Sequence, residues 1–225
     1  MLSFRELSEY KYWIILAKEQ FSNESQKAFH FKITMTNLIL EQAVANSPRP
    51  AADSVVSALL EAEKSAKRNK VSYSFEQLIG TWRLCFITGT KKTRAKAGIV
   101  LGAGRYIPKL IKIKIVYSAS QLEDNFDLGK VENSVEFGAV KLTLAGMTKF
   151  LPKKNILAFD FTRMTIQLFG ATLYQGYIRG GEKKEQEFLT ESVSKQAFFA
   201  YFLVEDGMIA ARGRGGGLAL WSRQE

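Results

Sequence analysis

From residue 78 onward the chain is a run of short alternating segments, each cut off by glycine or a polar turn. Segments this short hide their apolar faces only by pairing with one another. β-Branched and aromatic residues fill 79–88, 109–118, 131–137, 139–146, 156–161, 165–169, 172–179, 198–205, 208–212 and 218–223. In 109–118, Ile111, Ile113, Ile115 and Tyr117 fall on one face, and Lys112 and Lys114 on the other. Val140, Leu142 and Leu144 alternate in the same way. Asp206-Gly207 joins two apolar segments and is a dipeptide that favours a type I′ hairpin. Eight to ten such strands, with no long helix between them, predict an antiparallel sandwich or a closed barrel.

Residues 1–70 carry a different period. Leu7, Tyr10, Ile14, Ala17 and Phe21 recur at spacings of three and four, one face of a helix. Asn23 and Gln26 read as a capping box for a second helix bearing Phe29, Ile33, Leu40 and Val44. Pro48 and Pro50 break it, and Pro50 suits the first turn of a third helix with Val55, Val56, Leu59 and Leu60 as its stripe. The predicted organisation is a helical region over 1–70 and a β-domain over 71–225.

Few reactive groups are present. Cys85 is the only cysteine and His30 the only histidine, which excludes a disulfide framework and argues against a Cys/His metal site. No metal and no cofactor is expected. His30 sits between Phe29 and Phe31 with no activating partner in view, and no paired carboxylates or nucleophile–base set stands out. No catalytic residue is assigned and an enzyme is disfavoured. The glycines of 98–104 lack the spacing of a phosphate loop, and Arg212-Gly213-Arg214-Gly215 reads as a glycine turn.

The charge is uneven. The formal net charge is +10, yet residues 1–70 hold ten basic and eight acidic side chains. Residues 83–114 carry nine basic residues and no acid. Lys91, Lys92, Arg94, Lys96 and Arg105 form a basic loop after the first strand, suited to an anionic surface. Nucleic acid is the competing partner for 83–114, disfavoured because only Phe86 and Tyr106 interleave with the cations. The longest apolar run, 197–204, is too short to span a bilayer as a helix, and the N-terminus lacks a signal-peptide core.

Two segments together resemble the plastid lipid-associated protein, or fibrillin, family. Leu78-Ile79-Gly80-Thr81-Trp82-Arg83-Leu84-Cys85-Phe86-Ile87-Thr88-Gly89 is similar to that family's opening G-x-W strand. Residues Tyr201 to Gly213, an acidic turn leading into an arginine–glycine ending, are similar to its close. The resemblance implies a lipocalin-like antiparallel β-barrel of 8–10 strands behind an N-terminal helical region, mainly β with some α. It implies a bound lipid, quinone or carotenoid and peripheral association with a thylakoid membrane. The expected location is the cytoplasm or thylakoid surface of a cyanobacterium, or a chloroplast for a trimmed plant form.

Alternation then nominates an interior of Leu84, Phe86, Ile113, Ile115, Tyr117, Leu142, Leu144, Phe198, Phe202 and Val204 as ligand contacts. Gly80, Trp82 and Arg212 are expected to be structural, with Trp82 plugging the barrel floor and Arg212 stacked on its indole. A scaffold that docks a protein partner through the N-terminal helices is the remaining reading.

Overall fold

The computed structural model describes residues 34–45, 48–89, 104–119 and 127–225. The chain divides into two units, Met1–Leu38 and Ile39–Glu225, and the second contains every described strand. It also contains the whole of the third expected helix, so that part of the predicted helical region is integral to the β-domain.

The first described helix, α1, covers 34–45 and stops ahead of Pro48. The second, α2, covers Ala52–Arg68, with Asp53 in its first turn and Lys67 and Arg68 in its last, matching the helix dipole at both ends. Ala51 is its N-cap, so Pro50 precedes the helix rather than opening it. Val55, Ala58 and Leu59 are buried, whereas Leu60 is exposed, so the buried stripe is narrower than expected.

The strands are β1 (Gly80–Ile87), β2 (Arg105–Tyr106), β3 (Ile111–Ala119), β4 (Asp127–Phe137), β5 (Val140–Leu151) and β6 (Ile156–Phe159). They continue as β7 (Arg163–Leu168), β8 (Ala171–Tyr177), β9 (Ala197–Val204), β10 (Met208–Gly213) and β11 (Leu218–Gln224). Eight of them close a ring in the order β4–β3–β1–β11–β10–β9–β6–β5, with β5 returning to β4. The protein is therefore a closed antiparallel barrel with added strands and helices, one of the two architectures that the alternation predicts.

One strand forks. β5 pairs with β4 along its whole length, but its other edge is shared. Residues 148–151 pair with β6 and 140–145 pair with β7. The β7–β8 hairpin thus stands outside the ring at one end of the barrel, its mouth. A helix that sequence reading missed, α3 (Gly181–Phe188), follows β8. Its sequence is mostly charged, with no apolar stripe to betray it. Lys149 of β5 holds its far end, donating from Nζ to the carbonyls of Phe188 at 2.9 Å, Leu189 at 3.2 Å and Glu191 at 2.7 Å.

The barrel wall has two apolar faces. The inner face carries Trp82, Ile115, Tyr117, Val131, Phe150, Leu157, Tyr201, Ile209, Ala211 and Trp221. The outer face of β1 and β9–β11 carries Phe86, Phe202, Met208, Ala210, Leu218 and Leu220, covered by Leu40 and Ala43 of α1 and Val55, Ala58 and Leu59 of α2. Arg212 ties the two layers, its Nε donating to Glu63 of α2 at 2.6 Å and its Nη1 to the Gly216 carbonyl at 2.6 Å. Each aromatic buried this way stabilises by about 1.5–3 kcal/mol.

The end away from the mouth is plugged by the segment leading into β1. A 3₁₀ turn at Glu76–Leu78 buries Leu78 and is preceded by buried Phe75. Asn155, at φ +51°, accepts from the Tyr73 backbone N–H at 3.0 Å and donates to the Val71 carbonyl at 2.7 Å. The turn after β5 is thereby stitched to this plug.

Candidate functional site

Cross-strand register resolves the mouth into rows. Directly opposed residues on antiparallel strands point to the same face. The rim row is Ile111, Phe137, Val140 and Leu168. Below it lie Ile113, Val135, Leu142 and Ile166, then Ile115, Asn133, Leu144 and Met164, then Tyr117, Val131 and Gly146. Exposure falls along this descent, from 62% at Phe137 to 37% at Val135 and 3% at Ile115. The same sheet face is open at the top and sealed at the bottom.

The seal is aromatic. Phe199 packs edge-on to Trp221 at 5.3 Å between centroids and lies 5.0 Å from Phe159. Tyr117 and Tyr201 are fully buried and share a hydrogen bond of 2.8 Å between their hydroxyls. Burial pushes both phenols well above the ordinary tyrosine range. Gly146 has no room for a side chain, because a Cβ there would fall 1.8 Å from the Asp160 carbonyl oxygen. The Asp160 main chain therefore lies against the wall at that level. One polar atom interrupts the apolar wall above it: Asn133 Oδ1 is buried without a hydrogen-bond partner in the protein.

The nominated interior residues separate into two groups. Leu84, Ile113, Ile115, Tyr117, Leu142, Leu144 and Val204 lie on the inner face. Phe86 and Phe202 do not; both belong to the outer layer under α1 and α2. Phe198 shares the outer parity with Ala200, since Phe199 and Tyr201 point inward. The cause is local. Pairing slips between Leu84 and Phe86, so Leu84 faces Trp221 but Phe86 faces Leu220. A second slip leaves Phe202 unpaired between Tyr201 and Leu203, which returns Val204 to the interior.

Trp82 is buried on the inner face and donates from Nε1 to the Leu78 carbonyl at 2.7 Å. The cation on its ring is Arg223, 4.0 Å from the centroid, not Arg212, whose side chain lies on the outer face with Glu63. Gly80 makes room for it: its φ is +132°, and a Cβ there would meet Arg223 Nη1 at 2.6 Å.

Of the basic loop, Lys91, Lys92, Arg94 and Lys96 lie outside the described residues. Its flanks are described. Ile87 pairs with Arg105, so the chain leaves and re-enters the barrel at the mouth. Arg105 is exposed there. Lys112 is not unaccompanied, as it pairs with Glu136 at 3.0 Å and holds that carboxyl below its usual range.

No protein-family model, curated protein or solved structure matches this chain. The functional reading therefore rests on the residues themselves. A second concavity, of about 600 Å³, lies on the outer face between β4, β5, β7, β8 and α3. Its lining mixes apolar Val131, Ala145 and Met147 with polar and charged side chains, among which Arg163 Nε donates to Glu185 at 3.1 Å and Arg163 Nη2 to the Tyr177 hydroxyl at 3.0 Å. Among the described residues no cluster of three or more His, Cys, Asp and Glu side chains is placed to hold a metal. No described helix is long and apolar enough to cross a membrane.

The mouth contains a further feature that alternation did not reveal. The β7–β8 turn is the two-residue loop Phe169-Gly170, closed by the Leu168–Ala171 pair, with φ of +49° and +82°. Such turns favour asparagine or glycine at both positions. A phenylalanine held in the left-handed region costs roughly 1–2 kcal/mol. This one is also 85% exposed, so no burial offsets the cost.

Proposed function

We propose that this protein is a non-enzymatic carrier of one small apolar molecule, of the lipid, quinone or carotenoid class, seated in the mouth half of the barrel. The observation that carries the reading is the graded inner face. Ile113, Val135, Leu142, Leu144, Met164 and Ile166 form an apolar wall above a packed aromatic floor. Barrel mouths are a recurrent place for such ligands, and eight strands enclose space for one. The ligand sits above Tyr117 and Tyr201 rather than among them, because their ring contacts and shared hydrogen bond fill the lower half.

The basic loop 91–96 would hold the mouth at an anionic membrane of the thylakoid type, in keeping with the family resemblance. Organic extraction of the purified protein followed by mass spectrometry tests the carrier reading. A stoichiometric apolar compound supports it. Repeated extraction of none, together with failure to take up quinones or carotenoids offered in detergent, would overturn it.

A further inference from the structure

The rim of the mouth is apolar where a soluble surface would be polar. Leu110 is 79% exposed, and Phe137, Val140, Leu168, Phe169 and Leu173 are exposed as well. These residues come from three separate stretches of the sequence. Register joins them, from Ile111 through Phe137 and Val140 to Leu168, with Phe169 at the adjoining tip. Contiguous exposed apolar groups mark an interaction surface. The strained backbone of Phe169 sharpens the point, since asparagine or glycine would fold that turn more easily.

The charge around the rim selects the partner. Segments 105–114, 135–141 and 166–173 hold Arg105, Lys109, Lys112, Lys114 and Lys141 against one acid, Glu136. Lys112 and Lys141 both lie opposite Glu136 in the sheet, one strand to each side, on the face turned away from the apolar row. Apolar tips ringed by cations match a bilayer with anionic headgroups, where aromatics enter the interface and lysines meet phosphates.

We propose that the barrel docks mouth-down on an anionic bilayer, with Leu110, Phe137 and Phe169 inserted among the acyl chains and Lys109, Lys112, Lys114 and Lys141 on the headgroups. The open inner face then faces the bilayer, so an apolar ligand passes between membrane and barrel without crossing water. The route for the ligand rests on the carrier reading; the docking does not. The membrane partner is the one named in the proposed function; the rim adds anchoring residues to the cations of the loop at 91–96.

The test is co-flotation of the full-length protein with vesicles of phosphatidylcholine alone or with about one-third phosphatidylglycerol. We expect binding to the anionic vesicles only, weakened by salt. F137S/F169N should bind roughly tenfold more weakly or worse, since two aromatic anchors are lost. F169N alone should bind more weakly while melting no lower than wild type, because asparagine suits the turn. That opposition separates docking from misfolding. Unchanged vesicle binding by F137S/F169N would overturn the proposal. So would a wild-type dimer in sedimentation that F137S/F169N dissociates without any vesicle binding, which would make a second copy the occupant. If extraction finds no ligand but F137S/F169N still loses the vesicles, the carrier reading falls and the docking stands.

Discussion

Arg223 lies face-on to the buried Trp82 indole, its guanidinium carbon 4.0 Å from the ring centroid. The same guanidinium reaches the Ile79 carbonyl at 3.1 Å and the Asp206 carbonyl at 2.5 Å. One side chain from the last strand thus clamps the start of the first strand and the β9–β10 turn. We expect G80A to cost about 1–3 kcal/mol, because its Cβ would both strain the backbone and collide with Arg223. R223A should cost about 1–2 kcal/mol. The double variant should lose less than the two singles summed, which chemical denaturation measures directly.

The Tyr117–Tyr201 pair invites a double-mutant cycle. Y117F or Y201F alone leaves a buried hydroxyl without its partner and should cost about 1–3 kcal/mol. Y117F/Y201F removes both and should cost clearly less than their sum. Additive losses would show that the hydroxyls find other partners.

The same pair sets an alkaline limit. Both phenols titrate above the unfolded value when the protein is folded. Between the unfolded value near pH 10 and the folded ones, the unfolded chain has released protons that the folded chain retains. Stability is therefore full below about pH 10 and falls as pH rises beyond it. Thermal melts from pH 8 to 11 should show the fall, and Y117F/Y201F should flatten it.

Lys149 is almost wholly buried, and its charge is satisfied by carbonyls at the end of α3. Burial lowers its pKa from the ordinary lysine value. K149M keeps much of the volume but leaves those carbonyls unpaired, at a cost of about 2–4 kcal/mol. Hydrogen exchange should show α3 losing protection before the barrel strands do.

For the carrier reading, L142Q and I166Q change the open inner wall and should reduce retained ligand by about tenfold or more. F86L alters the outer layer and should leave retention unchanged while lowering the melting temperature. Mass spectrometry of matched preparations gives the comparison. Equal loss in all three would move the ligand away from the mouth.

The strands were legible because alternation and glycine turns are local signals, and β3, β10 and β11 match the expected segments to within two residues. What alternation could not supply was phase across a bulge. The slips at Cys85 and Phe202 cost one extra residue each, and they moved Phe86 outward and Val204 inward. Nothing in the local sequence marks either slip, since apolar residues stand on both sides and either face would accept them. The partner of Trp82 was misread for a different reason. Arg212 and Arg223 both sit on late strands, and only the path of the chain past Gly80 decides between them. The rim was invisible because its three stretches are tens of residues apart and become neighbours only through register.

The fork in β5 separates two jobs that most barrels combine in the same strands. The ring of hydrogen bonds closes through β6, and β7–β8 is carried on a single seam. That hairpin can lengthen, shorten or tilt without opening the ring. The size and chemistry of the mouth are thus free to diverge among descendants of this chain while the barrel beneath them stays the same.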